Sequence, residues 1–307
     1  MPLDPSVRGL LDAATAAAMP QIGSVTAQEM RAIHKAMLAK VPPGPDVFKV
    51  EEIRIPSPAG GMAARLYWPS AKPLGLMVYF HGGGWSTGRI DGWDGAMRRL
   101  ANTSGMAVLS VDYRLAPEAT FPAAVDDAIQ AVRWAGPNQD RLAGGPVPLL
   151  VAGDSARGNL AAVVAPSVRD SGGPTIAAQI LIYSSVDGNI DSPNLSRFES
   201  PFLTGSEIAW SVDQYVPNRS QRTDPRFAPI LASDLGNLPP AFVLTAENDL
   251  LAEEAGQYAL RMRERGVKVK TKCNMGTIHG FFTIDRGMVP HSSQARQDIA
   301  DFIADVT

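Results

Sequence analysis

Three unbroken apolar segments constrain the fold of this chain more than any other feature of its sequence. LGLMVYF, VPLLVAG and AAQILIY are apolar along nearly their whole length. Strands with this pattern are usually covered on both faces, as in a parallel sheet flanked by helices. Helical patterns separate most of the strand-like segments, and this alternation is typical of α/β proteins. We therefore expect a mostly parallel sheet with helices on both faces.

Five further segments complete the predicted sheet: VEEIRIPSP, MAARLYWP, MAVLSVDY, PAFVLTA and VKVKTK. The first two alternate in polarity, which favours a half-exposed antiparallel edge. The chain has 307 residues, of which 45% are apolar and 19% charged, as in globular proteins. We expect a single domain over residues 1–307, with a large buried core.

Two parts of the chain lie outside the strand–helix alternation, residues 1 to about 50 and residues 186 to about 225. The first contains QEMRAIHKAMLA, whose apolar residues are spaced for one face of a helix. The second begins as a loop and continues as the helical segment SEIAWSVDQYV. We expect both parts to form a cap over one edge of the sheet.

Several classes of function are disfavoured by the composition. The formal net charge of −3 comes from mixed charges, which argues against nucleic acid or an anionic membrane surface as a partner. Cys273 is the one cysteine, so no intramolecular disulfide forms and a cytoplasmic location is expected. Neither an export signal nor a membrane span is expected from the apolar pattern. HExxH, CxxC and P-loop motifs are absent, so neither a metal nor a nucleotide is expected.

Reactive side chains follow three of the predicted strands. Ser155 comes after VPLLVAGD, Asp249 after PAFVLTAEN, and His279 after the last strand and a loop, CNMGTI. Because ligands of such sheets collect beyond the carboxyl ends of the strands, we expect these side chains to meet. A serine hydroxyl needs an imidazole to remove its proton, and the imidazole needs a carboxylate to orient it. The order Ser, Asp, His along the chain matches this requirement.

A glycine turn supplies the remaining requirement of this chemistry. His81-Gly82-Gly83-Gly84 follows LGLMVYF, and glycines there can direct backbone N–H groups toward a developing oxyanion. Among the other histidines, His34 lies on a predicted cap helix, His81 opens the glycine turn and His291 follows the sheet. For the carboxylate, the rivals of Asp249 are Glu247, Glu253 and Asp187. Glu253 and its neighbour Glu254 begin a predicted helix, where acidic residues are common.

These motifs together resemble the hormone-sensitive-lipase-like branch of the α/β-hydrolase superfamily, which includes many bacterial carboxylesterases. The similar segments are HGGGW, VDYRLAPEATFPAAVDDA, GDSA, LPPAFVLTAENDLL and IHGFF. The resemblance implies an eight-stranded hydrolase sheet with a helical cap, and a triad of Ser155, Asp249 and His279. It also implies an oxyanion hole from the amides of Gly83, Gly84 and Ala156, and no cofactor.

The resemblance predicts hydrolysis of short- to medium-chain acyl esters through an acyl-enzyme. Trp85, Phe202 and Trp210 are candidates for lining the substrate pocket. Two alternatives stay open at this point: an amide hydrolase with the same triad, and a non-catalytic small-molecule binder on the same scaffold. A homodimer formed through the edge strand VKVKTK or a nearby helix is a further prediction, although a charged edge also protects against pairing.

Two residues depart from the family pattern near the nucleophile. Arg157 replaces the second glycine of GxSxG, and Pro166 falls within the helix predicted after Ser155. A large side chain in this turn predicts overpacking and a displaced oxyanion donor at Ala156. From the sequence we therefore predict impaired activity, and a several-fold higher kcat for Arg157→Gly. Pro166 predicts an interrupted or kinked helix.

Overall fold

The computed structural model describes residues 3–16, 20–38, 41, 43–57, 60–197, 200, 202–283 and 289–307. Its strands are β1 Lys49–Ile55, β2 Met62–Trp68, β3 Leu76–Phe80, β4 Ala107–Asp112, β5 Leu149–Asp154, β6 Ala178–Ile182, β7 Ala241–Asn248 and β8 Val269–Ile278. Its α-helices are α1 Pro5–Ala16, α2 Ala27–Leu38, α3 Ile90–Ser104, α4 Ala123–Ala135, α5 Gln139–Ala143, α6 Ala156–Asp170, α7 Gly205–Tyr215, α8 Ala252–Glu264 and α9 Val289–Val306.

The strands form one sheet in the order β1-β2-β4-β3-β5-β6-β7-β8. β1 pairs antiparallel with β2, and β2 pairs antiparallel with β4, whereas the other neighbours are parallel. Every strand predicted from the sequence is present, and the antiparallel edge falls where polarity alternates. The predicted fold class is confirmed.

Two apolar layers cover the sheet. Val78 and Phe80 of β3 pack with residues of α4, α6 and α8 on one face. The alternate residues Met77 and Tyr79 pack with residues of α3 and α9 on the other face. All four of these β3 side chains are fully buried, as the continuous apolar pattern predicts for a strand covered on both faces.

The last strand differs from the prediction. The segment CNMGTI, predicted as a loop, is the second half of β8, and pairing with β7 continues to Asn248 and Ile278. The pairing register shifts between Ala246 and Asn248, and Gly276 adopts a φ of 71° beside the irregularity. Polar and glycine residues suggested a loop, but an irregular strand accommodates them at a sheet edge. As a result, His279 follows directly from the end of a strand.

The two parts outside the alternation contact each other. The backbone N–H of Ile22 donates to Glu207 of α7 at 3.2 Å, and Gly23 lies against the side chain of Trp210. Arg31 of α2 forms an ion pair with Glu118, in the loop after β4. In the described part of the chain, no helix is both long and apolar enough to cross a membrane.

Candidate active site

A strained turn carries Ser155 between β5 and α6. Ser155 has φ 60° and ψ −133°, a conformation that L-residues rarely adopt. The turn is tight because Gly153 and Gly158 allow close approach: a Cβ at Gly153 would lie 2.2 Å from the carbonyl oxygen of Arg157. A Cβ at Gly158 would lie 1.8 Å from Oγ of Ser184. The crowded positions of the turn are therefore 153 and 158.

Three side chains form a continuous hydrogen-bonded chain at the carboxyl edge of the sheet. Oγ of Ser155 lies 2.7 Å from Nε2 of His279, and Nδ1 of His279 lies 2.7 Å from Oδ2 of Asp249. Oδ1 of Asp249 accepts the backbone N–H of Leu251 at 3.0 Å, which fixes the carboxylate. In a neutral imidazole, Nδ1–H donates to the carboxylate and leaves Nε2 free to accept the serine proton.

The side chains of His279 and Asp249 are almost excluded from solvent. His279 is 6% exposed and Asp249 is 3% exposed. The ring of Tyr183 packs against the imidazole, with 4.7 Å between the ring centroids. Tyr183 immediately follows β6 and has φ 33°, so it enters the site from the neighbouring strand. Tyr183 was not singled out from the sequence, where it is only the end of an apolar run.

The rival residues lie elsewhere. His81 is fully buried between the rings of Trp93 and Tyr113, as expected for a residue that braces the glycine turn. His291 lies 3.3 Å from a carboxylate oxygen of Asp4. Among the rival acids, Glu247 accepts the N–H of Gly276, and Glu253 forms an ion pair with Arg197. None of these contacts reaches Ser155 or His279.

The glycine turn is closed by hydrogen bonds onto a single carbonyl. The carbonyl oxygen of Gly83 accepts from the backbone N–H and from Oγ1 of Thr87, both at 2.9 Å. Gly83 and Gly84 have φ values of 118° and 58°. We call residues 82–87 the glycine loop. Ala156 is the first residue of α6, so its N–H has no acceptor within the helix.

Helix α7 packs directly on the glycine loop. A Cβ at Gly84 would lie 2.5 Å from Oγ of Ser211, a residue of α7. The Ser211 hydroxyl donates to the carbonyl oxygen of Glu207 at 2.8 Å, which holds it along its own helix. Only glycine fits at position 84, because of both this contact and the left-handed backbone.

Asp154, the residue before Ser155, ties the start of the glycine loop to β5. Its Oδ1 accepts from the N–H of Gly82 at 2.9 Å, from Tyr79 at 2.9 Å and from Nε1 of Trp93 at 3.1 Å. Burial raises the pKa of Asp154 to about 6, and these donors oppose the shift. Asp154 was not predicted as a site residue, because GDSA alone gives no direction to its side chain.

Arg157 points away from the crowded turn. Its side chain is fully buried, and its Nη2 donates to the carbonyl oxygen of Thr87 at 3.0 Å. Its guanidinium carbon lies 4.6 Å from the centre of the Tyr113 ring. The sequence placed Arg157 in the tight contact between turn, helix and strands, but Gly158 occupies that contact. The Ser155–His279 hydrogen bond coexists with the arginine.

The three predicted pocket residues lie in different surroundings. Trp85 is 2% exposed and stacks on Tyr215, with 5.1 Å between the ring centroids. Phe202 is 41% exposed, and Trp210 packs against Gly23. Their part in substrate binding stays a prediction. Within the described ranges, no three His, Cys, Asp or Glu side chains cluster in a way that suits a metal ion.

An eight-stranded, mostly parallel sheet with a serine on the strained turn after β5 defines an α/β hydrolase. Comparison with known proteins agrees, since the profile of the α/β hydrolase fold matches residues 77–283. The chain belongs to this family, and the resemblance to its hormone-sensitive-lipase-like branch is confirmed.

Named relatives cover most of the chain. The carboxylic ester hydrolase LipN of Mycobacterium tuberculosis is 40% identical over 83% of this chain and 69% of its own length. The carboxylesterase NlhH of the same organism is 34% identical over 95% of this chain and 92% of its own. Among solved structures, a hyperthermophilic esterase from Pyrobaculum calidifontis is 38% identical with a TM-score of 0.90, covering 99% of this chain and 98% of that one.

Proposed function

We propose that this protein is a carboxylesterase that hydrolyses short- to medium-chain acyl esters through a serine acyl-enzyme. The observation that carries this proposal is the pair of hydrogen bonds that links Ser155 to His279 and His279 to Asp249, each 2.7 Å long. The relatives are named as ester hydrolases, so neither the amide hydrolase nor the non-catalytic binder is favoured.

The first half of the reaction forms the acyl-enzyme. Nε2 of His279 takes the proton of Ser155 as Oγ attacks the ester carbonyl carbon, and Asp249 stabilises the imidazolium that results. The amides of Gly83, Gly84 and Ala156 are proposed to donate to the oxyanion of the tetrahedral intermediate. His279 then gives its proton to the departing alcohol. In the second half, His279 takes a proton from water as the water oxygen attacks the acyl carbonyl. It then returns a proton to Oγ of Ser155, which leaves as the carboxylic acid is released.

The predicted cap is proposed to bound the substrate pocket. Contacts between the segment at Ile22–Gly23 and α7 support one continuous cover, and α7 reaches the glycine loop at Gly84. Phe202 and Trp210 belong to this cover and are proposed to contact the acyl or alcohol group. A small-molecule ester is the proposed substrate, and a homodimer and a cytoplasmic location are retained as proposals.

The test is hydrolysis of p-nitrophenyl acetate and butyrate, followed by labelling with a serine-directed phosphonate and peptide mapping. We expect turnover and a label on Ser155. Asp249→Asn is expected to lower kcat by about 10³–10⁴-fold, because the amide no longer selects the tautomer in which Nε2 accepts. Glu253→Gln is the matched control and should keep full activity. A label on another serine, or full activity of Asp249→Asn, would contradict the proposal.

A further inference from the structure

Arg157 links the nucleophile turn to the far end of the glycine loop. It lies two residues after Ser155, and its Nη2 donates to the carbonyl oxygen of Thr87, the last residue of that loop. Its Nη1 lies 2.9 Å from where a Cβ of Gly83 would stand, so the guanidinium also contacts Gly83. The face of Tyr113 supports the guanidinium from another side.

Thr87 makes the shorter hydrogen bonds that orient the Gly83 peptide, whose carbonyl also accepts from the N–H of Ser86 at 3.3 Å. Thr87 donates two hydrogen bonds to the carbonyl of Gly83, and that carbonyl belongs to the same peptide as the N–H of Gly84. A shift of Thr87 therefore rotates one of the proposed oxyanion donors. Asp154 holds the beginning of the loop at Gly82, and Arg157 holds its end.

We propose that Arg157 is a positioning residue that holds the glycine loop, through Thr87 and Gly83, in the orientation that stabilises the oxyanion. This inference rests on the proposed esterase function. Arg157 touches neither Ser155 nor the substrate in this role, and it acts through the loop. The effect of its loss therefore falls on kcat and leaves KM nearly unchanged, because the oxyanion forms only after binding.

The placement of Arg157 is costly for folding. The guanidinium is fully buried, and no described atom accepts a hydrogen bond from its Nε or Nη1. Burial lowers the pKa of Arg157 well below its usual value, and Asp112 and Tyr215 only partly oppose this shift. Because an uncompensated buried cation carries a large desolvation cost, an apolar side chain of similar volume should be no less stable at this position.

The structure therefore reverses the expectation for Arg157→Gly that the sequence suggested. The side chain does not overpack the turn, so its removal relieves nothing there. Instead, Arg157→Gly frees Thr87 and leaves a cavity of guanidinium shape beside the loop. We expect a lower kcat for Arg157→Gly, and millimolar guanidinium in the assay should recover part of it by occupying that cavity.

The experiment compares wild type, Arg157→Met, Arg157→Gly and Arg157→Lys in kcat and KM for p-nitrophenyl butyrate, together with Tm. Removal of one oxyanion donor costs about 10²–10³-fold in kcat, so its rotation, a milder change, predicts a kcat lower by about 10- to 100-fold in the Met and Gly variants, with KM within about threefold. The Met variant should keep its Tm within a few degrees. Lys should fall between wild type and Met, because an ammonium still donates to Thr87.

Arg169, near the other end of α6, provides the matched control. Its guanidinium also donates to backbone carbonyls, those of Asp234 and Gly236, but it is remote from the glycine loop. Arg169→Gly should lower Tm without lowering kcat, and guanidinium should not raise its activity.

An unchanged or higher kcat in Arg157→Met overturns the inference, as does a loss in Arg157→Gly that guanidinium leaves uncorrected. If Arg157→Gly does not fold, the Met and Lys variants decide. An inactive wild type would instead refute the proposed esterase function, so the two failures are distinguishable.

Discussion

At the scale of single residues, crowding decides which positions of the turn around Ser155, residues 153–158, tolerate a side chain. Position 157 accommodates an arginine because its side chain extends to the glycine loop, where Nη2 donates to the carbonyl oxygen of Thr87. Position 158 has no space for a side chain, since Ser184, two residues after β6, lies where a Cβ would stand. The size of a residue in this turn therefore matters less than the direction in which its side chain leaves the helix.

Gly158→Ala tests this distinction. The new methyl group would lie 1.8 Å from Oγ of Ser184, so either β6 or α6 must shift. We expect a loss of about 1–3 kcal/mol in the free energy of unfolding, together with lower kcat, measured by urea titration and ester hydrolysis.

Gly145→Ala is the matched control, because nothing lies within 4 Å of a Cβ at that position. Adding Ser184→Gly to Gly158→Ala should recover most of the lost stability, since it removes the clashing hydroxymethyl group. Equal stability of Gly158→Ala and wild type would show that the helix adjusts freely.

At the scale of secondary-structure elements, α6 shows how the fold accommodates Pro166. The helix runs from Ala156 to Asp170 without a break, although the sequence predicts an interruption at the proline. Pro166 lacks an N–H, so the carbonyl of Ala162, four residues earlier, loses its helical donor. The hydroxyl of Tyr258 in α8 lies 3.5 Å from that carbonyl oxygen and donates to it. The neighbouring helix thus replaces the missing donor.

A double-mutant cycle between Tyr258 and Pro166 measures this compensation. Tyr258→Phe is expected to cost about 0.5–1.5 kcal/mol in the free energy of unfolding, because the buried Ala162 carbonyl loses the hydroxyl that donates to it. In the Pro166→Ala background the backbone N–H returns, and the same substitution should cost less. Urea titration of the four proteins gives the coupling energy. Identical costs in both backgrounds would show that the tyrosine does not serve this carbonyl.

At the scale of the whole molecule, the buried carboxylate of Asp154 makes stability depend on pH. Its pKa rises from 3.8 to about 6 on folding, so the folded protein binds more protons between these values. The contribution of this group to stability is fully present below pH 4 and is lost as pH rises through 6. The loss is on the order of 3 kcal/mol.

Asp154→Asn should remove this dependence. The amide oxygen still accepts a hydrogen bond but has no proton to lose, so the difference in unfolding free energy between variant and wild type should grow from pH 4 to pH 7. Urea titrations across this range provide the measurement. Asp170→Asn is the control, because Asp170 lies on the surface with 63% of its side chain exposed. Parallel curves for Asp154→Asn and wild type would contradict the prediction.

The sequence predicts the architecture well because strand burial leaves a pattern in the chain. LGLMVYF, VPLLVAG and AAQILIY encode a sheet covered on both faces, and the motifs after the strands bring Ser155, Asp249 and His279 together. The direction of individual side chains leaves no such pattern. The path of Arg157 to Thr87, the three donors on Asp154 and the ring of Tyr183 against His279 depend on neighbours distant in sequence. The second half of β8 was missed because its pairing depends on β7.

The contact between Gly84 and Ser211 has a consequence for selectivity. Helix α7, which is proposed to cover the binding region, rests on a peptide proposed to hold the developing negative charge. An ester too large to let α7 pack on Gly84 would bind in the site, but the proposed oxyanion donor would not be held in place. Such a compound would behave as a competitive inhibitor that is cleaved slowly, so discrimination against large esters would appear in turnover more than in affinity.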